Sequence, residues 1–153
     1  RNRGLMAAAG SSEQAVLPQV PVENQRSASC CCGQLKITCN EDPVRSAICH
    51  CTDCQKRTGS VFGVQARFRR LATTVIGAAI EYTRTGDSGN KVKFHFCGIC
   101  GSTLYWYPDG LLEFVLVAVG GFADNTLPVP AFSVYGDRCH SWVALPDGIE
   151  KYD

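Results

Sequence analysis

Cysteine spacing is the feature of this sequence that points most directly to chemistry. Eight of the ten cysteines fall into three tight groups, C-C-C at 30–32, C-H-C-T-D-C at 49–54 and C-G-I-C at 97–100. Disulfide frameworks usually spread their cysteines along the chain, whereas metal sites place thiolates only a few positions apart. The spacing therefore predicts metal ligands, and ligands that are all thiolates favour zinc.

The pair Cys97 and Cys100 is typical of a zinc knuckle, in which two thiolates on one tight turn reach the same ion. Such a turn supplies two ligands of a tetrahedral site, so a second pair is required. Cys30 and Cys32 offer two further thiolates on another turn. Because a shell of four cysteines leaves no position for a substrate, we predict that this zinc ion is structural.

A second zinc ion is predicted at Cys49, Cys51 and Cys54, which are close enough in sequence to bind one ion together. The fourth position has no obvious local ligand. Zinc sites with three protein ligands are typical of catalysis, so we assign these cysteines to a catalytic zinc site. His50 is an alternative fourth ligand, but its place between two ligands favours a partly exposed imidazole with local hydrogen bonds. Soft thiolate ligands favour a thiol substrate as the fourth ligand.

With these motifs, the sequence resembles the glutathione-dependent formaldehyde-activating enzyme and centromere protein V family. The resemblance covers roughly residues 29–145 and rests on the three cysteine motifs, with a weaker match at residues 120–124 and Trp142. It implies a zinc-clipped β fold like that of the mammalian suppressor of Sec-four, with the same two zinc sites. It also implies carbon–sulfur lyase activity, in which glutathione adds to formaldehyde to give S-hydroxymethylglutathione.

Substrate recognition requires cations, because glutathione carries two carboxylates. Lys56 and Arg57 follow Cys54 directly and are our candidate substrate-binding residues. A solvated helical face, on which basic residues complement the helix dipole, explains the same pair equally well.

Overall charge and hydropathy argue against several classes of protein. Lys and Arg number 15 and Asp and Glu 14, so the formal charge is +1, and it falls to −2 when seven thiolates bind two zinc ions. Arg67, Arg69 and Arg70 form a short basic cluster, but one such cluster in a near-neutral chain is weak evidence for nucleic-acid binding, and a strand end that turns into solvent explains it better. A nucleic-acid partner is therefore not expected. No apolar run approaches the roughly 20 residues of a membrane span. Without a secretion signal, reduced thiols indicate a cytoplasmic protein, and a homo-oligomer is compatible with the sequence.

Short strands must position these motifs. Alternation of polar and apolar residues predicts strands at 34–39 and 91–96, next to two of the cysteine groups. Further β-like runs lie at 44–48, 61–68, 79–83, 102–107, 112–119 and 131–135. One short helix is predicted at 52–57, ended by Gly59. We therefore predict a mainly β, small antiparallel sheet domain at 29–153, clipped by zinc and preceded by a tail or leader at 1–28.

Two other functions remain open at this stage. One is a non-catalytic zinc module that binds a protein partner or chromatin, and the other is a carrier that holds glutathione on zinc without turnover. Three cysteines belong to neither zinc site. Cys39 is predicted to be a core residue and Cys31 to point outward, whereas Cys139, beside His140, is either packed or a reactive thiol.

Overall fold

Eleven strands and one α-helix make up the part of the chain that the computed structural model describes, residues 24–153. The strands are β1 (Arg26–Ser29), β2 (Lys36–Cys39), β3 (Arg45–Cys49), β4 (Gly63–Arg69), β5 (Thr73–Ile76), β6 (Ala79–Thr85), β7 (Lys91–Cys97), β8 (Thr103–Pro108), β9 (Phe114–Ala118), β10 (Phe132–Val134) and β11 (Glu150–Tyr152). The helix is α1 (Thr52–Thr58). Short 3-10 helices lie at Arg70–Ala72, Asp109–Leu111, Val119–Phe122 and Gly136–Arg138.

The strands form two sheets. β1, β2 and β5 make a small antiparallel sheet, and the other eight lie in the order β11-β10-β3-β4-β9-β8-β7-β6. β10 is the exception to the antiparallel pattern, because it is parallel to both β3 and β11. Parallel neighbours require a long connection, and residues 135–149 supply one between β10 and β11. The predicted mainly β, mostly antiparallel fold class is confirmed.

Each of the eight strands predicted from the sequence is present, with ends that differ by at most two residues. β1, β5 and β11 were not predicted, because Ala28 is the one buried residue among them and they therefore show no hydrophobic period. β1 pairs along its whole length with β2, and it begins inside the segment predicted as a tail. The folded part therefore extends at least to Arg26, and residues 1–23 of the predicted tail lie outside the described residues.

The main core lies between the small sheet and one face of the large sheet. Ile37 and Cys39 of β2 are fully buried in the same cluster as Phe68 of β4 and Val117 of β9. Cys39 is thus a core residue, as predicted, and burial raises the pKa of its thiol to about 12. Because side chains alternate along β4, Gly63 lies on the face opposite Phe68. Cys49 of β3 is the cross-strand partner of Gly63 and lies on that same second face.

That second face carries the end of β3 and the start of α1. Cys51 is the N-cap of the helix, and its sulfur accepts a hydrogen bond from the backbone N–H of Cys54. Gly59 ends the helix in the left-handed conformation, with φ of 68°, and its N–H bonds to the carbonyl of Gln55. The predicted helix and its glycine stop are confirmed. Within residues 24–153 no helix has the length and apolar character needed to cross a membrane.

Candidate metal centres

Four cysteines meet beside the small sheet, and we call them the four-cysteine cluster: Cys30, Cys32, Cys97 and Cys100. Their sulfur atoms all lie within 4.8 Å of one another. Cys32 Sγ is 3.5 Å from Cys30 Sγ and 3.6 Å from Cys97 Sγ. Tetrahedral zinc with bonds of about 2.3 Å to sulfur places its ligands about 3.8 Å apart. The cluster therefore fits a single zinc ion, as the spacing predicts.

Each half of this cluster is a turn whose backbone points N–H groups at sulfur. The N–H of Leu35 lies 3.3 Å from Cys30 Sγ, and that of Ile99 lies 3.4 Å from Cys97 Sγ. The second turn closes at Gly101, whose φ of 75° is in the left-handed region that favours glycine. Hydrogen bonds donated to sulfur favour the thiolate, which is the form that binds metal.

Polar side chains add to this support. Gln34 Nε2 donates to Cys97 Sγ at 3.0 Å. The Ser102 hydroxyl lies 3.3 Å from Cys100 Sγ, and this bond, with backbone N–H groups, lowers the pKa of Cys100 to about 5. The same hydroxyl accepts a bond from the N–H of Cys31, which ties the two turns together. Cys31 itself is exposed, as predicted.

A separate three-cysteine cluster consists of Cys49, Cys51 and Cys54. Cys49 ends β3, Cys51 caps α1, and Cys54 lies in the first turn of that helix, so the strand-to-helix junction brings the three sulfurs within 4.8 Å of one another. All three are buried. Among the described residues, no fourth His, Cys, Asp or Glu ligand joins them. The cluster has the three-ligand composition of an open metal site.

The three sulfurs interact strongly with one another. Hydrogen bonds from the thiols of Cys49 and Cys54 lower the pKa of Cys51 well below its ordinary value. The bond to Cys51 correspondingly raises the pKa of Cys49. Val134 and Tyr135, which follow one another at the end of β10, pack against the cluster. Tyr135 adopts a left-handed backbone conformation, with φ of 58°, which is strained for a bulky residue.

His50 does not join either cluster. Its Nε2 lies 3.1 Å from Ser133 Oγ, and its backbone N–H bonds to the carbonyl of Val134. The prediction that the side chain points away from the metal and makes local bonds is confirmed, but the predicted partial exposure is wrong, because His50 is completely buried. Burial lowers the pKa of this imidazole. Parallel pairing with β10 covers the side chain, and nothing local in the sequence indicates that pairing.

All seven clustered cysteines lie within residues 25–138, which match the family model described as glutathione-dependent formaldehyde-activating enzyme. The chain belongs to this family. A comparison with curated proteins gives no match. Among solved structures, a crystal structure of a Rhodobacter sphaeroides protein is similar, with a TM-score of 0.51 and 19% identity over 83% of this chain and 99% of that chain. At that identity the likeness shows a shared fold alone.

Lys56 and Arg57, the cations predicted to bind substrate, lie on α1 just after Cys54 of the three-cysteine cluster. Both line a cavity of about 700 Å³, together with Arg84 and Phe94. None of the three cysteines is part of that lining. Arg57 nevertheless reaches toward the cluster, because a Cβ on Gly63 would lie 3.0 Å from Arg57 Nη2 and 3.5 Å from the Cβ of Cys54. The absence of a side chain at Gly63 leaves room for the guanidinium.

Aromatic rings hold Arg57 in this position. Its guanidinium carbon lies 4.4 Å from the ring centroid of Trp106 and 5.5 Å from that of Phe94. Stacking of this kind fixes the plane of the guanidinium while its N–H groups remain available to a ligand. Lys56 is exposed and has no such support. The structure therefore distinguishes two residues that the sequence treats alike.

Two further arginines near the three-cysteine cluster were missed by sequence reasoning. Arg84 of β6 pairs with Asp53 of α1 at 2.5 Å. Arg138 pairs with Asp87 at 2.7 Å, and its guanidinium lies 5.1 Å from the ring centroid of Tyr135. No local motif marks either residue, since each is brought to the cluster by a distant strand or turn. Together these pairs connect α1, the β6–β7 turn and the segment after β10.

Cys139 lies outside both clusters. Its thiol is half-buried and lies 3.6 Å from the carbonyl oxygen of His140. This local contact agrees with ordinary packing.

Proposed function

We propose that this chain is a zinc-dependent carbon–sulfur lyase that adds glutathione, or a similar thiol, to a small aldehyde such as formaldehyde, or reverses that addition. The single observation that carries the proposal is the contrast between the clusters, four sulfurs in one and three in the other. Membership of the formaldehyde-activating family supports the choice of substrates. One zinc ion per cluster, two per chain, is the cofactor content that we propose.

The four-cysteine cluster holds the structural zinc ion. Its ligands come from the turns that follow β1 and β7, and all four positions of a tetrahedral shell are filled by protein. A closed shell of this kind contributes to folding and leaves no position for a substrate. Its role is therefore to fix the relative position of the two turns.

The three-cysteine cluster holds the catalytic zinc ion through Cys49, Cys51 and Cys54. When bound there, zinc would keep a thiol substrate deprotonated at neutral pH and give its sulfur a fixed position. In the overall reaction a bond forms between that sulfur and the carbonyl carbon. The proton that the thiol gives up ends on the former carbonyl oxygen, so atoms and charge balance without an oxidant or a reductant.

The surrounding side chains bind and orient the thiol. Arg57 and Lys56 bind its carboxylates, and the stacked Arg57 is the more specific of the two because its guanidinium plane is fixed. Val134 and Tyr135 pack on the cysteines and keep water from their sulfurs. Limited access of water to the cluster would favour a thiol over water as the remaining ligand of the metal.

The test is a comparison of Cys51→Ser with the matched variant Cys139→Ser, whose cysteine lies in neither cluster. Zinc content is measured by atomic spectroscopy. Exchange between glutathione, formaldehyde and their adduct is measured by NMR exchange spectroscopy, which detects catalysis of a reaction that also proceeds uncatalysed. Cys51→Ser is expected to retain one zinc ion in place of two and to lose about 100-fold or more of the catalysed exchange, since a metal ligand is removed.

Cys139→Ser is expected to match the parent in both measurements. Two zinc ions in Cys51→Ser together with unchanged exchange would refute the proposal. Tight binding of glutathione by the parent, with exchange no faster than in its absence, would instead identify a thiol carrier.

A further inference from the structure

Two arginines face each other on the sheet face that carries Cys49. Arg45 of β3 lies directly opposite Arg67 of β4 in the antiparallel register, four residues along from the pair Cys49 and Gly63. Like charges directly opposite each other destabilise a sheet unless something neutralises them. Four residues of strand correspond to about 13 Å, so this pair is distinct from the three-cysteine cluster.

Each of the two guanidinium groups lies over an aromatic ring. The guanidinium carbon of Arg45 is 4.0 Å from the ring centroid of Phe132, and that of Arg67 is 5.3 Å from the ring centroid of Phe114. A guanidinium that stacks through its flat face keeps the N–H groups at its edge for a ligand. The two side chains are therefore held in place with donors to spare.

Buried polar atoms without partners lie at the same place. Arg67 Nε and Gln65 Oε1 are both buried, and neither has a hydrogen-bond partner within residues 24–153. Burial, and then the charge of Arg45, lowers the pKa of Arg67. Unpaired buried donors and acceptors are rare in folded proteins because each is costly. Gln65 and Arg67 line a cavity of about 150 Å³ together with Arg45 and Phe132.

The neighbouring arginines of the basic stretch are different. Arg69 pairs with Glu41 at 2.7 Å, and Arg70 lies 3.8 Å from the ring centroid of Tyr107 and donates to a backbone carbonyl. In the described part of the chain, the carboxylate that contacts the arginine pair is Glu150, 3.3 Å from Arg45 and largely exposed. One exposed carboxylate leaves the pair with a net positive charge.

We propose that Arg45, Gln65 and Arg67 form a binding site for a small oxyanion that carries a hydroxyl group, such as hydrogen phosphate. The two guanidinium edges donate charge-assisted bonds to the oxyanion oxygens. The hydroxyl of the ligand donates to Gln65 Oε1, which satisfies the buried carbonyl. The site is independent of the metal chemistry and of any thiol substrate.

Calorimetric titration of the zinc-loaded full chain with inorganic phosphate, at low ionic strength and neutral pH, tests this site. Saturable binding of one phosphate per chain is expected. Arg67→Met is expected to weaken it about tenfold or more, because a bond between charged partners is lost. Arg45→Met, at a more exposed position, is expected to do the same, so a folding defect in one variant does not leave the test undecided. Glu150→Gln is expected to tighten binding.

Sulfate tests the role of Gln65, because it has the shape of phosphate but no hydroxyl at neutral pH. In the parent, sulfate is expected to bind more weakly than phosphate. In Gln65→Leu, which has no acceptor at this position, the two anions are expected to bind with equal affinity. Equal binding of both anions by the parent would overturn the assignment of Gln65 as an acceptor.

Two controls separate this site from general charge and from the metal. Arg69→Met, on the same strand but already paired, is expected to bind phosphate within about twofold of the parent, since an exposed pair contributes little. Cys51→Ser removes a ligand of the three-cysteine cluster and is expected to retain phosphate binding. The proposal is overturned by absent saturable binding, by unchanged affinity in both Arg45→Met and Arg67→Met, or by loss in Cys51→Ser. None of these outcomes depends on catalysis.

Discussion

Replacing Gln34 with leucine isolates the contribution of one side chain to the four-cysteine cluster. Gln34 Nε2 donates to Cys97 Sγ at 3.0 Å and to the carbonyl of Ala78 at 2.7 Å, while its Oε1 accepts from the N–H of Ala78 at 3.1 Å. Leucine has a similar size but makes none of these bonds. The variant therefore removes a hydrogen bond to a predicted metal ligand without opening a large cavity.

The expected loss of zinc affinity follows from which of these bonds depends on metal. The two bonds to Ala78 are exposed and join uncharged groups, so they are present with and without zinc and cancel in the binding free energy. The bond to Cys97 joins a donor to a thiolate, and bonds to charged groups contribute about 1.5–3 kcal/mol. A loss of about 2 kcal/mol corresponds to about 30-fold in affinity. That lies within the 10–100-fold effect of outer hydrogen bonds on metal affinity.

The assay is competition for zinc with a chromophoric chelator. Cys51→Ser serves as the background in which only the four-cysteine cluster is complete, so the titration reports one site. Gln25→Leu is the matched control, because Gln25 makes an exposed hydrogen bond to Asn40 and, within residues 24–153, none to a sulfur. An affinity of the Gln34 variant within about threefold of its parent, or an equal loss in the Gln25 variant, would refute the reasoning.

Two further predictions concern the surroundings of the sites. Arg57→Met should raise the KM for glutathione about tenfold with little change in kcat, because methionine retains contact with Trp106 but loses the charge that binds a carboxylate; steady-state kinetics checks this, and an unchanged KM would exclude Arg57 from binding. Burial lowers the pKa of His95 from 6.5, so the unfolded state binds more protons and stability falls as pH falls through that value. His95→Phe, which can keep the stacking on Tyr105, should reduce this fall, as measured by urea unfolding at pH values on either side of 6.5.

Sequence reasoning predicts which cysteines form the two clusters, because their spacing is a local property. The turn at Cys97 and Cys100 needs only its own residues to bring two sulfurs together, and its partner pair was assigned because a tetrahedral shell needs four ligands. Strands such as β2 and β7 were predicted from alternation, which reflects one buried face. β11 carries no such signal, because all three of its residues are exposed and its pairing with β10 defines it.

Long-range packing accounts for what the sequence does not reveal about the sites. Arg84 and Arg138 lie close enough to interact with the charge of Cys51, and each pairs with a carboxylate from another segment, Asp53 or Asp87. Neither pair lies within one sequence motif. The burial of His50 likewise depends on β10, which is far away in sequence. The sequence gives the type and position of such residues, but it does not show which distant residues lie next to them in the fold.

A metal ion bound in each of the two clusters would affect the chain differently. Cys32 and Cys97 are 65 positions apart and their sulfurs meet, so an ion held by the four-cysteine cluster closes a long loop and restricts the unfolded chain strongly. Cys49, Cys51 and Cys54 lie within six residues of sequence, so an ion there closes almost no loop and stabilises little of the fold. A metal that contributes little to folding can change its ligands without unfolding the protein, and the thiol exchange that we propose at the three-cysteine cluster would require this freedom.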